Sequence, residues 1–147
     1  LLEIPPMEFI EYINESVEIV WKTLINPNGW DPWFTDGMKM EVEEGGKIFF
    51  RWIRLTQGET VEDKGVTITL EPYKKWEFWW YEYEDGFRSH VLMTFQADGE
   101  KGTWVKVQDR VLTADLSELP IAFGCAYGWG QMLLLAKTYI EKQLILI

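Results

Sequence analysis

The sequence predicts an α+β domain in which a curved antiparallel sheet wraps around a long C-terminal helix. Three observations predict it. A short amphipathic helical stripe lies near the start, a series of segments with period-two alternation follows, and an uncharged apolar segment from Leu119 to Ala136 comes late. Alternating segments joined by short turns pair antiparallel. A sheet with one apolar face needs an apolar element to cover it.

In chain order, Leu1 to Pro6 is a lead-in, because Pro5 and Pro6 interrupt regular structure. Met7 to Asn14 is a strand rich in aromatic and β-branched residues. Ser16 is placed to cap a helix, Glu18 suits its positive end, and Val17, Val20, Trp21 and Leu24 recur at i, i+3, i+4 and i+7. Asn26-Pro27 ends that helix, since a residue before proline avoids the helical region. Gly29 to Phe34 forms either a second short helix or an irregular turn that places Trp30, Trp33 and Phe34.

A meander of about six strands follows. Met38, Met40 and Val42 alternate with charged residues up to the Gly45-Gly46 turn, and Ile48, Phe50 and Trp52 continue the pattern. Thr56 to Lys64 reads as a turn and a ragged edge, before Val66, Ile68 and Leu70 form a half-buried strand stopped by Pro72. Trp76, Phe78 and Trp80 precede a turn at Asp85-Gly86, and Val91, Met93 and Phe95 precede one at Asp98-Gly99. Val105 and Val107 lie on the last strand. These parities define one concave face, with Phe49, Trp79, Tyr81, Tyr83 and Trp104 on the other. Ala114 to Glu118 leads to the final helix, where Pro120 suits the first position. Interruptions are expected near Gly124, Gly128 and Gly130, glycines read as letting the helix approach bulky rings. Met132, Leu133, Ala136 and Ile140 form one stripe.

The length of 147 residues fits one domain, residues 1–147. A net charge of -10 argues against nucleic acid and against an anionic membrane surface. Cys125 and His90, each alone of its type, exclude an internal disulfide and a Cys/His metal cluster. No metal or cofactor is expected. No signal peptide is visible, and the cysteine usage suits a cytoplasmic location. The uncharged stretch is nearly long enough for a membrane span, but Pro120, Gln131 and three glycines weaken one and the strands need this helix as cover.

The order and spacing of several motifs resemble the START-like (helix-grip, SRPBCC) superfamily, and within it the group named after the activator of the heat-shock protein 90 ATPase. The helix start Ser16-Val17-Glu18-Ile19-Val20-Trp21 is followed by Pro27, the Trp33-Phe34 pair and Gly45-Gly46. Gly65 to Pro72, Gly102-Thr103 and Gly128-Trp129 complete the pattern, which covers about Met7 to Gln143. The resemblance implies a β-α-α-β6-α helix-grip fold and a cavity between sheet and final helix.

The expected function is binding of a small hydrophobic ligand, aromatic or lipid-like, in that cavity. The candidate site joins Trp33, Phe34, Phe50, Trp52, Phe78, Trp80, Val91, Met93 and Met132 with the polar residues Arg54 and Asp109. The alternative is that the rings simply fill the core. Arg54, Glu82, Ser89, Thr103 and Asp109 share the inward parity. Arg54 paired with Glu82 or Asp109 would orient a ligand, unless these residues sit at strand ends in water. No catalytic residue is assigned: Cys125 lacks a basic neighbour in sequence, and His90 falls on the outward parity. A cyclase-like or hydrolase-like enzyme needing only Asp109 or Glu82 is one alternative. A co-chaperone module, implied by the resemblance, is another, with the outward rings as a possible homodimer or partner surface.

Overall fold

A computed structural model of the chain describes residues 2–81, 86–113 and 115–147, with backbone alone for Leu2 and Glu3. Strand β1 (Leu2–Glu3) and strand β2 (Met7–Ile13) lead into helix α1 (Val17–Leu24). Six strands follow: β3 (Lys39–Met40), β4 (Lys47–Trp52), β5 (Val61–Glu71), β6 (Lys75–Tyr81), β7 (Arg88–Ala97) and β8 (Thr103–Thr113). A 3-10 turn (Leu116–Glu118) then opens helix α2 (Leu119–Lys142). The sheet is antiparallel in the order β1-β8-β7-β6-β5-β4-β3, with β2 also paired to β8. The lead-in thus contains a short strand, Leu2 opposite Thr113, that the two prolines do not prevent.

Helix α1 forms as its sequence dictates. Ser16 Oγ accepts from Ile19 N at 3.4 Å, while Val20, Trp21 and Leu24 are buried. Past its end the Asn26 amide donates to the Lys22 and Thr23 carbonyls, which the finished helix leaves without partners, and to the Gly29 carbonyl in the turn. Pro27 to Phe34 is a run of turns rather than a second helix. It buries Trp30, Trp33 and Phe34 completely or nearly so.

The concave face departs from simple alternation in two places. Strand β3 ends at Met40, where the Glu41 carboxylate turns back to accept from Lys47 N at 2.7 Å, so Val42 points into solvent. Strand β5 starts earlier than expected, at Val61, and carries a bulge between Thr67 and Thr69. The bulge reverses the side-chain parity. Thr67 is therefore buried and Gly65 faces inward, whereas Val66 is only half-buried and Ile68 is exposed. Leu70, beyond the bulge, packs on the core. Thr67 Oγ1 accepts from Trp76 Nε1 at 3.0 Å, so the exchange of an apolar for a polar inward residue costs no unpaired group.

Gly65 is required where it stands, because a Cβ there would lie 2.2 Å from the Trp79 carbonyl oxygen. Its missing side chain also lets rings from β4 and β6 meet across β5. Phe50 stacks on Trp80 at 4.2 Å and 5°, and Trp52 lies parallel to both.

Helix α2 is continuous through Gly124, Gly128 and Gly130, since its backbone bonds tolerate glycine at a modest cost. Nor do those glycines admit close packing: a Cβ at any of the three would meet nothing within 4 Å. Alanine at Gly124 and Gly130 is expected to raise stability by about 0.5–1 kcal/mol at each site. Urea denaturation of the double variant tests this, and an unchanged or lower midpoint would show that the open-space argument is wrong. From Trp129 onward the helix buries Met132, Leu133, Leu135 and Ala136 against the sheet, while Ile121, Phe123 and Tyr127 in the first half are exposed. Leu116–Lys142 is long and apolar enough to cross a bilayer by length and composition alone, a test that a core helix covering a sheet also passes.

The outward rings do not make one patch. Trp79 lies opposite His90 on β7 and Trp104 opposite Gln96, six positions apart and thus roughly 20 Å. Trp79 packs against His90 and Arg88, while Trp104 packs against Tyr12. Tyr83 lies outside the described residues, as do Glu82 and Asp85. His90 is partly covered, and its Nε2 lies 2.7 Å from Glu77 Oε2. Burial raises the Glu77 carboxyl, but hydrogen bonds from Thr69 and His90 and the His90 and Lys75 charges bring it below its ordinary range.

Candidate functional site

A cavity of about 470 Å³ lies between the concave face and the first half of α2. Eight of its twenty described lining residues are aromatic. Trp30 comes from the turn after α1 and is buried among Phe34, Phe50, Trp76, Trp80 and Trp129. Trp30 Nε1 donates to the Leu24 carbonyl at 3.1 Å, so the end of α1 fixes the floor of the cavity. Trp52 and Trp80 come from the sheet, and Trp129 and Met132 from α2. Gly124 and Gly128 also line it, and their lack of side chains keeps this stretch of wall open.

The polar lining is sparse and acidic. Asp109, on β8, is 1% exposed, and its Oδ2 accepts from Trp129 Nε1 at 2.9 Å. Its other oxygen, Oδ1, is buried with no hydrogen-bond partner among the described residues. Burial pushes the Asp109 carboxyl above its ordinary range, with bonds from Trp129 and Ser89 and the His90 charge pulling less strongly downward. Asp63, on β5, accepts from Trp80 Nε1 at 2.9 Å through Oδ2. Both cavity carboxylates accept from a tryptophan N–H, and the two tryptophan rings meet edge to face at 5.4 Å. Trp52 Nε1 is a further buried polar atom with no described partner. Ser89, Thr56 and Gln131 complete the polar wall. Cys125 also faces the cavity, but burial, then the Asp109 and Asp63 charges, push its thiol up to about 12. A thiol held in that state is neither a nucleophile nor a metal ligand at neutral pH. No group of three or more metal-ligating side chains occurs among the described residues.

Of the residues expected from sequence, the cavity brings together Phe34, Trp52, Trp80, Asp109 and Met132. Phe50, Phe78, Val91 and Met93 are fully buried behind that lining, in the core. Trp33 is likewise core rather than cavity lining, packed between Phe34 and Tyr139. Arg54 belongs to neither group. It lies past the end of β4, partly exposed, where its guanidinium bonds Asp36 and the Pro32 carbonyl. Burial raises the Asp36 carboxyl, but bonds from the Arg54 and Ile53 backbone and from the Arg54 side chain lower it overall. Arg54 therefore cannot balance Asp109, which is paired with Trp129 instead. Thr103 is buried and donates to the Glu15 carbonyl at 2.8 Å, a structural tie.

Sequence reasoning missed Trp30, Asp63, Cys125 and Trp129 as lining residues. Trp30 and Trp129 carried a signal, since a tryptophan in a turn and one beside helix glycines both need burial. Asp63 shares its parity with Gly65 and Thr67, but the bulge that turns this parity inward has no signature in β5.

The model of the family described as Activator of Hsp90 ATPase homolog 1-like protein matches residues 14–141. Among curated proteins no sequence matches. Solved structures share the fold at low identity. A protein of unknown function, SA2116 from Staphylococcus aureus, superposes with a TM-score of 0.78 at 13% identity, covering 97% of this chain and 96% of that one. NE0264 from Nitrosomonas europaea gives 0.74 at 15% identity, covering 94% and 95%. CalU16 from Micromonospora echinospora gives 0.69 at 22% identity, covering 95% and 82%. These likenesses establish the helix-grip architecture.

Proposed function

Since the chain belongs to the family described as Activator of Hsp90 ATPase homolog 1-like protein, we propose that it binds a small hydrophobic ligand between its sheet and its final helix. The single observation that carries this reading is the ring-lined cavity of about 470 Å³, a size typical of small-molecule sites. A domain this rich in aromatic side chains had the means to fill that space and leaves it open, with glycines at two of the lining positions of α2. A single cysteine, which allows no internal disulfide, suits a reducing cytoplasm. The family description also suggests a chaperone ATPase as partner, but the outward rings Trp79 and Trp104 lie roughly 20 Å apart, which disfavours one docking face that includes both.

The test uses N-phenyl-1-naphthylamine, an uncharged arene whose fluorescence rises in apolar surroundings. The wild-type protein is expected to bind it saturably. Gly128→Leu, which places an isobutyl group where a Cβ meets nothing, is expected to weaken binding by about tenfold, or 1.4 kcal/mol, with the fold retained. Equal binding by both proteins would place the dye elsewhere and remove the reading. A catalytic use of the same cavity is favoured by one observation, the Asp109 carboxyl raised above its usual range. Mass spectrometry of ligand recovered after incubation separates the two. Binding alone returns it unchanged.

A further inference from the structure

The chemistry of the lining narrows the ligand class, an inference that rests on the cavity being a binding site. We propose that the cavity selects an organic cation, an apolar body carrying a protonated amine whose N–H groups reach Asp109. Four features of the molecule converge on this class.

The first is the unpaired oxygen. Asp109 is almost wholly buried; Trp129 Nε1 bonds its Oδ2, and among the described residues no donor meets Oδ1 in hydrogen-bond geometry. A buried carboxylate oxygen without a donor is costly, so the missing partner is a hydrogen-bond donor, and a charged donor fits best. The second is the absence of an internal cation. No Lys, Arg or His lines the cavity among the described residues. Outside them stand Leu1, Glu82, Tyr83, Glu84, Asp85 and Ala114, none of which is basic. Asp63 adds a second carboxylate to the same walls. The third is the ring cage. Trp52, Trp80 and Trp129 line the space, and tryptophan rings attract ammonium groups through their negative quadrupole, which offsets part of the lost hydration. The fourth is the field of the whole chain, whose net charge of -10 raises the local concentration of cations over anions.

An anionic ligand such as a fatty acid meets the opposite conditions. Its carboxylate would face two others without a basic side chain to hold it. A neutral arene fills the same space but brings no donor to Asp109 Oδ1.

Three probes with one naphthalene body test the inference: 2-naphthylmethylamine, 2-naphthylmethanol and 2-naphthoate. Calorimetry at neutral pH is expected to rank the amine about tenfold or more above the alcohol, with the carboxylate weakest. In Asp109→Asn the amine is expected to fall to within about threefold of the alcohol while alcohol binding is retained. Asp63→Asn is expected to narrow the preference less and serves as the second variant if the first does not fold. An alcohol or carboxylate that binds the wild type as tightly as the amine overturns the cation preference and leaves the hydrophobic-ligand reading standing. An amine preference intact in the folded variants overturns the assignment of that preference to Asp109 and likewise leaves the hydrophobic-ligand reading standing. Failure of all three probes, the neutral alcohol included, overturns both.

Discussion

Replacing Trp30 with alanine is expected to cost about 4 kcal/mol of stability, a fall in Tm on the order of 10–15 °C. The ring is completely buried, so its removal loses both transfer energy and contacts on every side. It touches rings from β4, β6 and α2 as well as its own turn, so one residue couples four parts of the fold. The Leu24 carbonyl at the end of α1 would also lose its donor. Trp30→Phe keeps most of the ring contacts and loses the N–H, and is expected to cost roughly half as much. Urea denaturation of the two variants measures the difference. A cost below about 1.5 kcal/mol for the alanine variant would show that the turn is a cover rather than a hub.

Asparagine at Asp109 is expected to change stability in a pH-dependent way. The carboxyl is raised in the folded protein and ordinary, near 3.8, in the unfolded chain. Between those two midpoints the folded state holds the extra proton. The contribution of Asp109 is therefore fully present below the unfolded value and is lost as pH rises through the folded one. The loss is about 1.4 kcal/mol for each pH unit that separates the midpoints. Asp109→Asn removes this dependence, so its stability relative to wild type should improve from acid pH upward and then level off. Asp36, Glu77 and Glu141 run the other way, since each is lowered on folding and loses its contribution as pH falls. Burial raises Glu141 too, but the Asn14 backbone N–H and the Lys137 ammonium outweigh it. These groups are common to both proteins and cancel in the difference. Thermal melts of the pair from pH 4 to 8 give that difference directly, and a flat one would mean that Asp109 is ionised like an exposed carboxylate.

The parts of the fold that were legible in the sequence are those set by neighbours along the chain. Ser16 caps its helix through a residue three positions on, and the alternation of Trp76 with Phe78, and of Val91 with Met93, directly reports a buried face. The cavity was legible as a place, and Phe34, Trp52, Trp80, Asp109 and Met132 were identified in it. Its chemistry was not, because it depends on pairings across space. Nothing near Asp109 in sequence announces Trp129, twenty residues on and on another element. The bulge in β5 reversed one strand, bringing Asp63 in and sending Ile68 out. Arg54 followed the parity of β4 on paper, but the strand ends at Trp52 and parity has no meaning beyond it.

The pairing of β2 with β8 has a consequence for how the chain is made. Among the described residues strand β2 pairs with β8 alone, and bonds such as Thr103 to Glu15 and Asn14 to Glu141 close loops of 88 and 127 residues. Such closures are paid for in entropy before any contact returns it, which sets folding in the slower, millisecond-to-second regime typical of sheet-rich domains. On a ribosome, the ring-lined face of the meander emerges before the helix that covers it. The nascent chain therefore exposes its most adhesive surface until α2 is available, and the early helix α1 must wait for the far end of the sequence before it has a complete bed to lie on.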